Sequence, residues 1–175
     1  MNRGGSVEDK TKIFIASYLR LAWEDCASSH QLFGRHSEPY LAQQAAEKLL
    51  NVILTSEGLH YNTRDGGHHN LYGRVKLIPD HHPWKDKLKS VAFLEDYATT
   101  YRYPRSTSGL VTKLDNAAIL KVRVARNSLD KLIRAAADHF DVDLNFQCEK
   151  PAGNISPIKN ENGFEMDVPK PTSKP

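Results

Sequence analysis

The chain lacks most features of an extracellular, membrane or fibrous protein. Its 175 residues include only two cysteines, Cys26 and Cys148, which form no CxxC motif and no disulfide framework. No apolar run approaches the roughly 20 residues that a transmembrane helix needs. The N-terminal stretch MNRGGSVEDK also lacks the apolar core of a signal peptide. We therefore expect a cytoplasmic protein that does not bind a membrane.

The composition is that of one globular domain with a weak charge bias. Hydrophobic residues make up 39% of the chain and charged residues 26%, which lies outside the disordered class. The formal charge is only +3, and residues 140–175 hold six acidic and four basic side chains, a net of −2. Residues 1–139 therefore carry +5, a bias that assists polyanion binding without indicating it.

Residues 39–55, PYLAQQAAEKLLNVILT, have the pattern of a central helix. Apolar side chains recur at steps of three and four, and the second half is apolar around most of its circumference. Small alanines in the first half would let another helix approach closely. Gln43, Gln44 and Glu47 are polar on an otherwise apolar segment, so each needs a partner if it is buried.

Four other stretches complete the predicted architecture. Helical periodicity predicts further helices over residues 7–33, 68–78, from Asp80 or Pro83 to residue 102, and over 112–139. No internal repeat or strand-rich region is present. We predict an all-α fold: an antiparallel up-down bundle of four to five helices over residues 1–140, with an irregular C-terminal tail over 141–175.

Four spaced features resemble the HEPN family of small helical-bundle proteins. They are the motif LAWED at residues 21–25, the segment AQQAAEK at 42–48, the triplet His-Asn-Leu at 69–71, and Arg-Tyr-Pro-Arg at 102–105. Their order and spacing span about half the chain. The resemblance implies a bundle that usually forms a homodimer and acts on or binds RNA or nucleotides.

Two kinds of function follow from the resemblance. Some HEPN proteins are metal-independent endoribonucleases of toxin or defence type, often held in check by a minimal nucleotidyltransferase partner, and these carry Arg followed after four to six residues by His. There, His serves as acid or base at the ribose 2′-hydroxyl and Arg stabilises the phosphorane. Others are non-catalytic modules that bind a nucleotide or a protein.

Three Arg–His pairs have that spacing, and because chance gives about one or two in such a chain, their surroundings must discriminate. Arg64–His69 is our first choice for catalysis, since polar Asp65 follows the arginine and His69 falls on the family's histidine position. The alternative for His69 is a capping or packing role at the start of the third helix. The two remaining pairs are Arg134–His139, whose side chains point about 140° apart on a helix, and Arg74–His81, which straddles a proline.

Two other groups of residues need an interpretation. Arg102, Tyr103 and Arg105 can hold a phosphate and stack a base, and we expect them to bind RNA or a nucleotide. Five histidines lie between His60 and His82, but no two stand four apart on one helical face. We therefore expect no metal site there and no cofactor.

Overall fold

The computed structural model describes residues 7–35, 37–62, 67–100 and 114–145, and it describes the side chains of these residues except those of residues 7, 99 and 100. Within these ranges the chain forms an all-α antiparallel bundle, as predicted, and no strand is present. The helices are α1 (Val7–Gln31), α2 (Ser37–Ser56), α3 (Leu71–Leu77), α4 (Lys85–Val91), α5 (Tyr97–Thr100) and α6 (Asn116–His139), with a 3-10 segment (Ala92–Asp96) between α4 and α5.

Helix α2 is the centre of the bundle, which confirms the prediction for residues 39–55. It packs along α1 on one side and against α6, α3 and the 3-10 segment on the others. Its buried apolar side chains are Ala42, Ala45, Ala46, Leu49, Leu50, Val52, Ile53 and Leu54. Among the described helices, none combines the length and the apolar character needed to cross a bilayer.

The ends of α2 and α6 follow from local backbone chemistry. After α2, Gly58 adopts a φ of 68°, and the amide of Leu59 donates to the carbonyl of Leu54 at 2.7 Å. This is the Schellman arrangement, which satisfies the last carbonyls of a helix. Helix α6 begins where Asp115 Oδ1 accepts a hydrogen bond from the Ala118 amide at 2.7 Å.

Residues 140–145 continue against the bundle after α6 ends. Phe140, Val142 and Leu144 pack, partly buried, against the core, and Arg20 of α1 donates to the Asp143 carbonyl at 3.0 Å. The predicted tail begins in this segment, and its residues from 146 onward lie outside the described residues.

The single helix predicted from Asp80 or Pro83 to residue 102 is wrong. Helix α4 ends at Val91 and is followed by the 3-10 segment and the short α5. A continuous α-helix that buries Leu88 and Val91 would turn position 95 inward. The tighter 3-10 segment instead buries Leu94 completely and lets Glu95 accept a hydrogen bond from the Tyr72 amide at 3.1 Å.

A buried ion pair joins three helices at one end of α2. Glu38 and Arg126 are 0% and 4% exposed, and Arg126 Nη1 lies 2.6 Å from Glu38 Oε1. The Gly34 amide donates to Glu38 Oε2 at 2.6 Å, and the Ser29 hydroxyl donates to the Glu38 carbonyl at 2.9 Å. We call these four residues the Glu38 cluster; its carboxylate is satisfied by the cation and a backbone amide, as a buried charge requires.

Candidate active site

A polar stripe runs along one face of the otherwise apolar helix α2. Gln43, Glu47 and Asn51 stand four residues apart, a spacing that places side chains one above another on a helix. Gln43 is fully buried, and its Nε2 donates to Glu47 Oε2 at 3.0 Å. Gln44 Nε2 in turn donates to Gln43 Oε1 at 2.6 Å. The partners of the buried Gln43 amide and of the partly buried Gln44 amide are thus found within α2 itself.

Glu47 is the meeting point of this stripe with the segment that precedes and includes α3. Its side chain is 17% exposed. His69 Nδ1 lies 3.0 Å from Oε2, and Arg74 Nη2 lies 3.4 Å from Oε1. One carboxylate therefore holds an imidazole, a guanidinium and the Gln43 amide. We call Gln43, Glu47, His69 and Arg74 the Glu47 cluster.

Arg74 is fixed on every side of its guanidinium. Nε donates to Asn51 Oδ1 at 3.2 Å, and Nη1 donates to the Asn70 carbonyl at 3.2 Å. Nη2 reaches the His68 carbonyl at 2.8 Å, and the Tyr61 ring lies 4.5 Å from the Arg74 Cζ atom, a cation–π distance. With a side chain only 4% exposed, Arg74 fastens the turn before α3 to the central helix.

The start of α3 places His69 next to Glu47. Asn70 caps the helix, since its Oδ1 accepts a hydrogen bond from the Gly73 amide at 2.6 Å. A Cβ at position 73 would stand 2.9 Å from Tyr61 Cε2 and 3.0 Å from Asn70. Glycine at this position therefore lets the Tyr61 ring and the Asn70 cap close over the helix start.

His69 has the exposure and the bonding of a group that can exchange protons with a ligand. A carboxylate accepts hydrogen bonds, so the contact with Glu47 places the proton on Nδ1 and leaves the lone pair of neutral imidazole on Nε2. The side chain is 37% exposed. Among the described residues, Nδ1 has a hydrogen-bonding partner and Nε2 has none. The arrangement is that of a base held by an orienting carboxylate.

The structure brings together only some of the residues that the sequence singled out. His69 lies at the opening of the Glu47 cluster, while its predicted companion Arg64 lies outside the described residues. The predicted phosphate- and base-binding residues Arg102, Tyr103 and Arg105 also lie outside them. Arg74, which the sequence paired with His81, is bonded to Glu47 instead, and His81 is exposed to solvent.

The second candidate pair, Arg134 and His139, has different partners for its two side chains. Arg134 Nε lies 3.2 Å from Asp130 Oδ2, and its guanidinium stacks 4.2 Å from the Trp23 ring of α1. His139 contacts Trp84 edge-on, with ring centroids 5.8 Å apart. One side chain is thus held towards α1 and the other towards the start of α4.

Sequence reasoning missed the joint role of Glu47 and Arg74. The available signal was the recurrence of Gln43, Glu47 and Asn51 at every fourth position of a buried helix, which predicts one polar face. Arg74 follows His69 by five residues, so both fall within one short turn and helix. These two patterns mark a polar face on α2 and a basic turn near α3, but neither pattern places the turn against that face.

Metal-ligating side chains gather at a different place. In the part of the chain that the structure describes, the histidines between His60 and His82 form no group of three ligands. Cys26, His30 and Asp130 do form such a group, between α1 and α6.

A scan against family models and searches of curated proteins and of solved structures found no match for this chain.

Proposed function

We propose that the chain is a HEPN-like protein that acts on RNA, as a metal-independent endoribonuclease of toxin or defence type with His69 as its acid–base residue. The observation that carries the proposal is the 3.0 Å contact between Glu47 Oε2 and His69 Nδ1. It supplies a held imidazole beside a buried polar network, at a position that the HEPN resemblance marks. The resemblance supplies the substrate class.

The proposed reaction uses the lone pair on His69 Nε2. Nε2 takes the proton of a ribose 2′-hydroxyl, whose oxygen attacks the adjacent phosphate and displaces the 5′-oxygen of the next nucleotide. The products are a 2′,3′-cyclic phosphate and a 5′-hydroxyl that receives a proton from a general acid. Glu47 stabilises the imidazolium that forms, since the Nδ1–H bond to a carboxylate strengthens when the ring is charged.

The charge that develops on the phosphate needs a cation other than Arg74. Nε, Nη1 and Nη2 of Arg74 already donate to acceptors within the protein. We therefore assign the phosphate to Arg64, the first sequence candidate, or to Arg102. In a homodimer, the partner's site can supply the general acid.

The decisive experiment is RNA cleavage by purified protein in EDTA. We expect cleavage to persist in the chelator and to fall by about 10²–10⁴-fold in His69→Ala, the usual contribution of a general acid or base. His81→Ala is the matched control, because His81 is an exposed histidine outside the cluster. Its activity should equal that of the wild type. Equal cleavage by His69→Ala and wild type would exclude His69 from the mechanism. If the wild type cleaves no RNA, the proposal that the protein is an endoribonuclease is wrong.

A non-catalytic binding module is the second candidate, and the bonding of Arg74 favours it. A guanidinium with three bonded nitrogens and a stacked ring is a structural clamp, so the Glu47 cluster can serve to hold α3 alone. Ligand binding then falls to Arg102, Tyr103 and Arg105. This candidate predicts no RNase activity, with saturable binding of a nucleotide or a minimal nucleotidyltransferase that Arg102→Ala weakens at least about tenfold.

The homodimer is part of the proposal, and α6 offers a surface for it. Leu120 and Val124 are 60% and 59% exposed one helical turn apart. They border a groove of about 450 Å³ that Phe93 of the 3-10 segment also lines. Light scattering of the wild type should give a dimer, and Leu120→Glu with Val124→Glu should give a monomer. A monomeric wild type contradicts this arrangement.

A further inference from the structure

A cysteine, a histidine and an aspartate converge between α1 and α6, away from the Glu47 cluster. Cys26 and His30 stand one helical turn apart on α1, and Asp130 lies on the facing side of α6. Their ligand atoms, the thiol sulfur, an imidazole nitrogen and a carboxylate oxygen, all lie within 4.8 Å of one another. Cys26 is fully buried, Asp130 is half-buried and His30 is exposed, so the group opens to solvent at the histidine.

We propose that Cys26, His30 and Asp130 bind Zn²⁺ and thereby join α1 to α6. Thiolate, imidazole and carboxylate are the three ligand types that zinc takes in proteins, and three protein ligands leave a fourth tetrahedral position for water. The thiolate selects against Mg²⁺ and Ca²⁺, which prefer oxygen ligands. The pair Cys26 and His30, four apart on one helix, provides two ligands without any loop movement.

Binding requires a small closure of the three side chains. Ligand atoms around a tetrahedral zinc lie about 3.5 Å apart, so separations of up to 4.8 Å have to shrink by at most about 1.3 Å. Side-chain torsions of the exposed His30 and the half-buried Asp130 can supply this movement. Arg134 Nε holds Asp130 Oδ2 at 3.2 Å, and a carboxylate has two oxygens, so the arginine and the metal can share it.

The thiol has to lose its proton to become a ligand. Burial raises the pKa of Cys26 to about 12, and its Sγ donates to the Arg126 carbonyl at 3.8 Å. Zinc replaces that proton, so binding releases a proton and strengthens as the pH rises. The pKa of His30 is lowered, first by burial and then by Arg126, which favours the neutral imidazole that a metal needs.

Cobalt(II) titration of the reduced protein tests the site, because cobalt bound to a thiolate gives a charge-transfer band that cobalt on histidines and carboxylates does not give. We expect this band to saturate at one cobalt per chain and to be displaced by Zn²⁺. Cys26→Ser should abolish it. Cys148→Ser should leave it unchanged, and this control matters because Cys148 is the only other cysteine.

Variants at the exposed end of the site keep the test independent of folding. His30→Ala should weaken Zn²⁺ binding by at least about tenfold, while His81→Ala, at another exposed histidine, should not change it. One equivalent of Zn²⁺ should also raise the unfolding midpoint of the wild type and not that of His30→Ala. No thiolate band in the wild type, or a band that survives Cys26→Ser, overturns the proposal. Cleavage of RNA in EDTA is unaffected by this outcome, since His69 lies in the other cluster.

Discussion

The Glu38 and Glu47 clusters start from the same chemistry and end in different environments. Each pairs a glutamate of α2 with an arginine of a later helix, and the two glutamates stand nine positions apart on one helix. The Glu38 side chain is 1% exposed, and its carboxylate is bonded by Arg126 and a backbone amide. The Glu47 side chain is 17% exposed and adds the imidazole of His69, itself 37% exposed.

This difference separates a structural ion pair from a candidate reactive one. In the Glu38 cluster each described partner is an arginine, a backbone group or a serine, none of which changes charge near neutral pH. In the Glu47 cluster the same carboxylate–arginine unit supports a histidine, the side-chain type that most often serves as a general acid or base. Burial and the kind of third partner, rather than the ion pair itself, decide which cluster can take part in a reaction.

Removing each of the two carboxylates in turn should reveal the largest difference in stability between the two clusters. We expect Glu38→Ala to lower the free energy of unfolding by about 3–5 kcal/mol, because it leaves the buried Arg126 without its counter-charge. Glu47→Ala should lower it by about 1–3 kcal/mol, because the equally buried Arg74 keeps its hydrogen bonds to Asn51 and to the carbonyls of His68 and Asn70. Urea unfolding of both variants measures the difference. Equal losses would show that the two clusters are alike.

The Glu38→Ala substitution should also make the Cys26 thiol, which lies beside the Glu38 cluster, more accessible to reagents. With its raised pKa of about 12 and full burial, Cys26 should react with a thiol reagent at about pH 8 at least a thousandfold more slowly than a free thiol. In Glu38→Ala, local opening between α1 and α6 should accelerate labelling by about a hundredfold. Both proteins are compared in the Cys148→Ser background. Unchanged labelling would mean that Glu38 does not hold these helices together.

Replacing the orienting carboxylate by an amide should affect activity more than stability. Glu47→Gln keeps the size of the side chain but cannot stabilise an imidazolium, so cleavage should fall about tenfold or more. Glu38→Gln is the matched control. Its cleavage rate, expressed per amount of folded protein, should equal that of the wild type. Cleavage by Glu47→Gln at the rate of the wild type would leave Glu47 with a purely structural role.

A third histidine sharpens the comparison with the smallest expected effect. His82 Nδ1 accepts from the Trp84 amide at 3.3 Å and Nε2 lies 3.9 Å from Glu57, and its pKa is lowered chiefly by burial. Its folded pKa thus lies below the unfolded value near 6.5. The fold favours neutral His82, so this stabilisation is complete above about pH 6.5 and is lost as the pH falls through the folded pKa.

Unfolding measured at about pH 7.5 and about pH 5.5 checks this sign. The wild type should lose more stability on acidification than His82→Asn, whose amide oxygen can still accept from the Trp84 amide. His81→Asn is the control at the neighbouring exposed histidine. A His82→Asn variant with the same pH dependence as the wild type would contradict the assignment.

Hydrophobic periodicity is sufficient to predict the long helices, but it does not predict the side-chain contacts of the Glu47 cluster. Helices α1, α2 and α6 each bury one continuous apolar face, so the spacing of their leucines, alanines and valines reveals them. The 3-10 segment escaped because a change of register at Leu94 and Glu95 depends on the Tyr72 amide, a tertiary contact.

The cluster shows the same limit. The sequence marks Gln43 and Glu47 as polar groups that need partners, and the HEPN resemblance marks His69 by its position. Their meeting depends on the fold of α3, in which Arg74 bonds to Asn51 and to the turn before it. Contacts between side chains more than 20 residues apart leave no periodic trace in the sequence.

The Glu38–Arg126 ion pair also has a consequence for the order in which the newly made chain can fold. Its arginine follows its glutamate by 88 residues. At translation rates of about 5–20 residues per second, the ribosome delivers Arg126 about 4–18 s after Glu38. During that interval the hairpin of α1 and α2 lacks the Arg126 cation that pairs with the Glu38 carboxylate. The Glu38 carboxylate must therefore stay hydrated, and water leaves this end of the hairpin only when α6 packs against it.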